Sequence, residues 1–231
     1  MRCLHTGPPA LPATFDCRRP LLLHTRRQDR RGRDATPRLA SQTPHSADVE
    51  HAPKKVSMVS LGCPKNTVDG EVILGDLFRS GFDIVDDHED ADAIVVNTCS
   101  FVEEAKTESL EAIMQAAQLK ADGKAQRVIV TGCLAQRYSQ DLAEQLPEAD
   151  MVMGFQNYSS LPRHLRGMLG LSPELDSATY SGASRTQVGE ATVNFRPEYD
   201  RHRLTPHHTA YLRVAEGCNH ACTFCAIPGF R

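Results

Sequence analysis

The chain has 231 residues, 40% hydrophobic and 24% charged, enough to bury a sizeable core in one or two domains. No apolar run approaches the ~18 residues that a membrane-spanning helix needs, and the longest early one, Leu21-Leu22-Leu23, is too short for a signal-peptide core. The chain is therefore read as having no membrane contact, and its formal net charge of −3 hides an uneven distribution.

Residues 1–45 carry nine Arg against Asp16, Asp29 and Asp34, a surplus of six, so the remainder is about nine charges negative. Residues 1–54 lack apolar periodicity and are expected to be a disordered basic tail, unable to repay the entropy of folding. Their Arg-rich, acid-poor character suits a transit peptide to a plastid or mitochondrion; a plain tail or a misplaced start, with a cytoplasmic protein behind it, is the alternative. Cys3 and Cys17 fall in this tail and receive no role.

From residue 55 to about 170, short β-rich runs alternate with longer helical ones, which predicts an α/β fold with a parallel sheet covered by helices. Strands are expected near 56–61, 82–85, 93–97, 127–131 and 150–153. Between them Val68, Val72, Leu74, Leu77 and Phe78 predict one buried helix face stopped at Gly81, and Val102, Ala105, Ile113, Ala116 and Ala117 another. Five strands with crossovers point to a flavodoxin-like or Rossmann-like layout, the flavodoxin-like one having the order 2-1-3-4-5. Residues 171–205 read as a linker. A last strand-like run, Ala210 to Ala215, opens the final segment, 206–231.

Three of the apolar runs end in a cysteine: SMVSLGC at Cys63, AIVVNTC at Cys99 and RVIVTGC at Cys133. In open parallel sheets, ligands collect outside the carboxyl ends of the strands. With neighbouring strands roughly 4.8 Å apart, three sulfurs on adjacent first, third and fourth strands would converge on an object the size of a metal cluster. Gly62 and Gly132 would let the chain turn tightly there. The alternative is that the three are simply small buried hydrophobes. Cys218, Cys222 and Cys225, spaced C-x3-C-x2-C within eight residues, suit three corners of a cubane iron–sulfur cluster whose fourth iron stays open. Zinc with a fourth ligand such as His220 is the alternative. Lys65, Asn66 and Asn97 flank the first group as turn formers or as donors to sulfide. His207, His208 and His220 are expected at the surface, and Glu103, Glu104, Lys106 and Glu108 on a solvated helix face.

The C-x3-C-x2-C loop, with Phe224 before its last cysteine, resembles that of the radical S-adenosylmethionine enzymes, and GCNHACTFCAIPGFR resembles its version in the methylthiotransferases. The resemblance runs upstream through TPHHTAYLRVAEGC. At VSLGCPKNTVDGE, VVNTCSFVEEAKTES and VTGCLAQRY it is to the branch that methylthiolates an aspartate of small-subunit ribosomal protein twelve. The tRNA-adenosine branch usually shows Gln-Met-Asn after its first cysteine, where this chain has Pro64-Lys65-Asn66.

The resemblance implies a transferase with two 4Fe-4S clusters and S-adenosyl-L-methionine as cofactors. Cys218, Cys222 and Cys225 would hold the cluster that binds S-adenosylmethionine, and Cys63, Cys99 and Cys133 an auxiliary cluster that carries sulfur. The partners would be the ribosomal protein and an electron donor such as flavodoxin or ferredoxin, with tRNA only under the alternative branch. It further implies that a radical-SAM (β/α) barrel starts at 206–231 and is cut short at Arg231, so that the chain is expected to be a fragment inactive alone. A non-catalytic iron–sulfur or zinc-binding module is the alternative of another class.

Overall fold

Strand β3 (Ala93–Thr98) opens with the apolar run Ala93–Val96, and all six of its residues are buried, the pattern of a strand covered on both faces. It pairs in parallel with β1 (Lys55–Ser60) on one side and β4 (Arg127–Gly132) on the other. The sheet is completed by β2 (Asp83–Ile84) outside β1 and by β5 (Met151–Met153) and β6 (Thr186–Gln187) beyond β4. All five pairings are parallel. This computed structural model describes residues 52–171, 185–191 and 201–231. The basic tail up to residue 51, with Cys3 and Cys17 and the transit-peptide reading, lies outside the described residues, as do 172–184 and 192–200 of the stretch read as a linker.

The α/β architecture is that expected from sequence; of the two layouts the order of the first five strands is the flavodoxin-like one, and the described part of the linker stretch adds a sixth strand. β6 was illegible because Thr186 and Gln187 carry no apolar signal; its place is fixed by backbone bonds such as Val152 N–H to Arg185 O (2.8 Å) and Gly154 N–H to Gln187 O (2.9 Å).

Helix α1 (Pro64–Arg79) begins with proline, whose missing N–H costs nothing in a first turn. It ends with Phe82 N–H on Leu77 O and Gly81 N–H on Phe78 O, an arrangement that closes the last carbonyls and brings Phe82 into the core beside Leu77. Phe78, expected on the buried face, is 61% exposed; it sits at the far edge of the stripe, where its ring meets His202.

In α2 (Glu103–Ala121) the buried face is Lys106, Ser109, Leu110, Ile113, Ala116 and Ala117. Ile113, Ala116 and Ala117 are as predicted. Val102 lies before the first turn and is exposed, and Lys106 belongs to the buried stripe, four residues before Leu110, not to a solvated face. Its ammonium reaches back to Glu103 (2.5 Å) and lies 5.4 Å from the centre of the Tyr138 ring. The remaining helices are α3 (Cys133–Arg137), α4 (Ser139–Gln145) and α5 (Leu161–Met168). No described helix is long and apolar enough to cross a membrane.

The strand expected over Ala210–Ala215 is absent. Leu212 and Val214 face solvent, and with no neighbouring strand to pair with, an apolar alternation has no ladder to join. Residues 201–231 show no part of a barrel; their regular structure is one 3-10 turn, Ile227–Gly229.

Gly132 ends β4 at φ +93°, where a Cβ would stand 2.3 Å from the carbonyl oxygen of Thr98. Gly132→Ala should therefore cost the left-handed strain of about 1–2 kcal/mol and roughly 1–3 kcal/mol of overpacking. Gly123→Ala, at φ +74° in open space, should cost only the former. Urea unfolding of the two variants against the parent checks the difference.

Candidate metal centre

Ser60 pairs with Asn97 and Thr98 with Gly132, so Cys63, Cys99 and Cys133 all follow at the carboxyl edge of three neighbouring strands. The chain order reverses between β1 and β3, with β2 on one side and β3 on the other. The crevice beyond such a reversal is where open parallel sheets bind ligands.

Each cysteine is set differently. Cys63 caps the N-terminus of α1 and is exposed, whereas Cys99 and Cys133 are buried. The peptide of Cys99 is clasped by Ser109: its N–H donates to Ser109 Oγ and its carbonyl accepts from the same hydroxyl, both at 2.9 Å. Gly62 lies directly on it, because a Cβ at Gly62 would be 2.7 Å from the Cys99 sulfur. The two glycines thus make the tight turns expected, and what approaches them closely is the neighbouring strand. Burial pushes the Cys133 thiol from 9.0 to about 11; nearby Cys99 adds to the rise, and Arg231 opposes it.

Asn66 and Asn97 are not turn formers. Asn66 is buried on α1 and donates from Nδ2 to Leu61 O at 2.7 Å and Thr98 O at 3.2 Å, while Asn97 donates to Asn66 O at 2.8 Å. Together they tie the exits of β1 and β3 to the first turn of α1. Ser60 Oγ, Ser100 Oγ and the side-chain oxygens of Asn66 and Asn97 are buried there without a hydrogen-bond partner. Such atoms call for water or a polar guest at this edge.

Among the described residues no three His, Cys, Asp or Glu side chains converge on a single ion. Thiolates at about 2.3 Å from one ion stand about 3.8 Å apart, closer than the strand spacing of about 4.8 Å. The donor set, three thiols at neighbouring strand ends, is chemically soft.

The second group lies on one loop. Cys218 and Cys222 are exposed and Cys225 is half-buried, with Cys225 N–H on Cys222 O at 3.1 Å. The loop's ends meet: a Cβ on Gly217 would stand 2.5 Å from Arg231 O. The six described cysteines form no disulfide. His207, His208 and His220 are exposed, as expected.

A buried charge network seats this loop on the sheet domain. Asp69, on α1, takes Arg213 Nη1 at 2.6 Å on one oxygen and Arg231 Nη2 on the other. Glu216 pairs with Arg213 (2.7 Å), Lys65 (3.2 Å) and Arg231 (3.3 Å). Burial pushes the Asp69 carboxyl up, and Arg231 and Arg213 pull it back. Two residues further along α1, Glu71 accepts from Leu204 N–H at 3.1 Å. Phe230, beside Arg231, is buried in the core cluster that also holds Phe155, Tyr158 and Cys133. Of these residues the sequence reading singled out only Lys65 and the cysteine. The available signal was Asp69 and Glu71, two carboxylates two residues apart on α1.

Residues 55–154 match the model of the family described as "Uncharacterized protein family UPF0004". The chain is 43% identical over 183 residues to the "Ribosomal protein uS12 methylthiotransferase RimO" of Geobacter sulfurreducens, covering 79% of this chain and 39% of that relative. The proteins of the same name from Saccharopolyspora erythraea and Bdellovibrio bacteriovorus are 38% identical over 200 residues and 39% identical over 186. Over 79% of its length the chain is similar to these methylthiotransferases. Its likeness is to the ribosomal-protein branch, and it spans about two fifths of the length of these methylthiotransferases. The family match contains Cys63, Cys99 and Cys133 and the buried Asp69 and Glu71, while the loop with Cys218, Cys222 and Cys225 lies beyond it.

Two outcomes are expected. Asp69→Asn leaves two buried guanidiniums short of a counter-charge, a loss of about 3–5 kcal/mol for a broken buried pair; limited proteolysis should then cut at Arg213, which the parent protects. In metal-free protein the Cys133 thiol stays protonated after the unfolded thiol ionises. Stability should therefore fall as pH rises from 9.0 to about 11, by about 2–3 kcal/mol at about 1.4 kcal/mol per unit. That share of the slope should vanish in Cys133→Ala, as measured by urea unfolding at each pH.

Proposed function

We propose that the whole protein to which these residues contribute is a radical S-adenosylmethionine methylthiotransferase adding a methylthio group to an aspartate of small-subunit ribosomal protein uS12. The observation that carries the reading is the placement of three cysteines at the exits of three adjacent strands, beside a second cysteine loop seated on the same edge. Likeness to relatives named for that activity supports the substrate.

In this reading Cys63, Cys99 and Cys133 hold one 4Fe-4S cluster, and Cys218, Cys222 and Cys225 hold another. When bound, the second cluster supplies an open iron for S-adenosylmethionine and the electron that cleaves it, and the first supplies the sulfur that is transferred. The electron comes from a donor such as flavodoxin or ferredoxin. The chain's own contribution is positional. Ser109 fixes the Cys99 peptide, the amides of Asn66 and Asn97 hold the two strand exits at one height, and Cys63 is placed at the N-terminus of α1. Ser60 and Ser100 bring hydroxyls that lack partners and suit sulfide acceptors. The base of the seated loop lies beside the first set, with Arg231 Nη1 3.6 Å from the Cys133 sulfur.

Anaerobic reconstitution with iron and sulfide tests the reading. Replacing Cys63, Cys99 and Cys133 with Ala should remove about half the bound iron, and replacing Cys218, Cys222 and Cys225 the other half. Iron unchanged by the first replacement would sink the two-cluster reading. In the whole protein, Cys99→Ala should spare some cleavage of S-adenosylmethionine and abolish methylthio transfer, and mass spectrometry of uS12 and of tRNA from a knockout should show the loss in uS12. A loss in tRNA adenosine instead would move the substrate to the other branch.

A further inference from the structure

Arg231 meets four groups at once. Its Nη2 is on Asp69, its Nε lies 3.3 Å from Glu216, its plane lies 4.8 Å from the centre of the Phe155 ring, and its remaining arm, Nη1, points at the Cys133 sulfur from 3.6 Å. The side chain is 6% exposed. A surface arginine holding one carboxylate keeps most of its rotamer freedom. Here two carboxylates and an aromatic face fix the plane of the fork, so the free N–H is aimed at the sulfur by everything around it. The local charges agree with this aim. Lys65, Arg213 and Arg231 exceed Asp69 and Glu216 by one positive charge, and a doubly positive cubane core held by three thiolates carries one negative charge.

We infer that Arg231 is a positioning residue for the first cluster, its guanidinium donating a hydrogen bond to the Cys133 thiolate and setting the cluster's reduction potential. The inference rests on the reading that Cys63, Cys99 and Cys133 hold that cluster. A donor on a ligating sulfur stabilises the more negative, reduced state more than the oxidised one, so it raises the potential. The same residue lies beside Phe230 at the base of the second cysteine loop, so the contact that sets the potential forms only when that loop is seated.

The experiment uses the full chain carrying Cys218, Cys222 and Cys225→Ala, so that one cluster remains, reconstituted anaerobically and titrated electrochemically with electron paramagnetic resonance as the readout. Arg231→Gln should shift the midpoint to lower potential at unchanged iron content, and Arg231→Lys, which keeps the charge and loses the fork, should shift it less. Arg213→Gln removes a cation from the same network while leaving Arg231 its own contacts with Asp69, Glu216 and Phe155, and should shift the midpoint less than Arg231→Gln. Should Arg231→Gln fail to fold, the Lys variant carries the comparison. An unmoved potential in a folded, iron-loaded Arg231 variant, or an equal shift in Arg213→Gln, overturns the inference while leaving the cluster reading intact. No iron bound by the parent removes both.

Discussion

Every peptide group of β3 must find its partner on a neighbouring strand, because neither face of that strand meets water. The ladders to β1 and β4 meet this need, and they leave little freedom in how the three strands end. A slip of one residue would turn Val95 and the core side of β3 toward the opposite layer. The register that keeps the apolar residues covered is therefore also the register that brings Cys63, Cys99 and Cys133 out at one edge. Placement of the thiols is a by-product of core packing, not a separate device.

What the backbone does not do at that edge, small and polar residues complete. Gly62 and Gly132 let adjacent strand exits touch, one against the Cys99 side chain and the other against the Thr98 backbone. Asn66 spans the exits of β1 and β3 from the first turn of α1, and Ser109 reaches from α2 to both sides of the Cys99 peptide. These contacts use buried hydrogen bonds, each worth only about 1 kcal/mol net but costly to leave unmade. They make the edge rigid rather than the domain more stable.

The second layer of organisation is electrostatic. Asp69 and Glu71 are buried carboxylates two residues apart on α1, and burial tolerates them only if cations arrive to match. Arg213 and Arg231 for Asp69, and Arg201 for Glu71, come from more than a hundred residues further along the chain. The helix that frames the first cysteine group is thus incomplete without the segment that carries the second. A buried charge here supplies a register between two parts of the chain, which apolar packing, being non-directional, would specify less sharply.

Much of this was legible without coordinates. Apolar runs at 93–96 and 128–130 mark strands buried on two faces, and alternating helical and strand periods give the parallel class, so the cysteine ends of three strands were legible while the choice between two strand orders was not. Periodicity failed where burial depends on a distant neighbour. Phe78 and Val102 fall at the margins of their stripes, Lys106 is covered because Tyr138 and Glu103 are there to receive it, and the run 210–215 has the alternation of a strand and no strand to pair with. The tertiary structure alone decided that Arg213, Glu216 and Arg231 stand against Asp69 and Cys133, since the energy of a buried ion pair depends on a distance that no local pattern encodes.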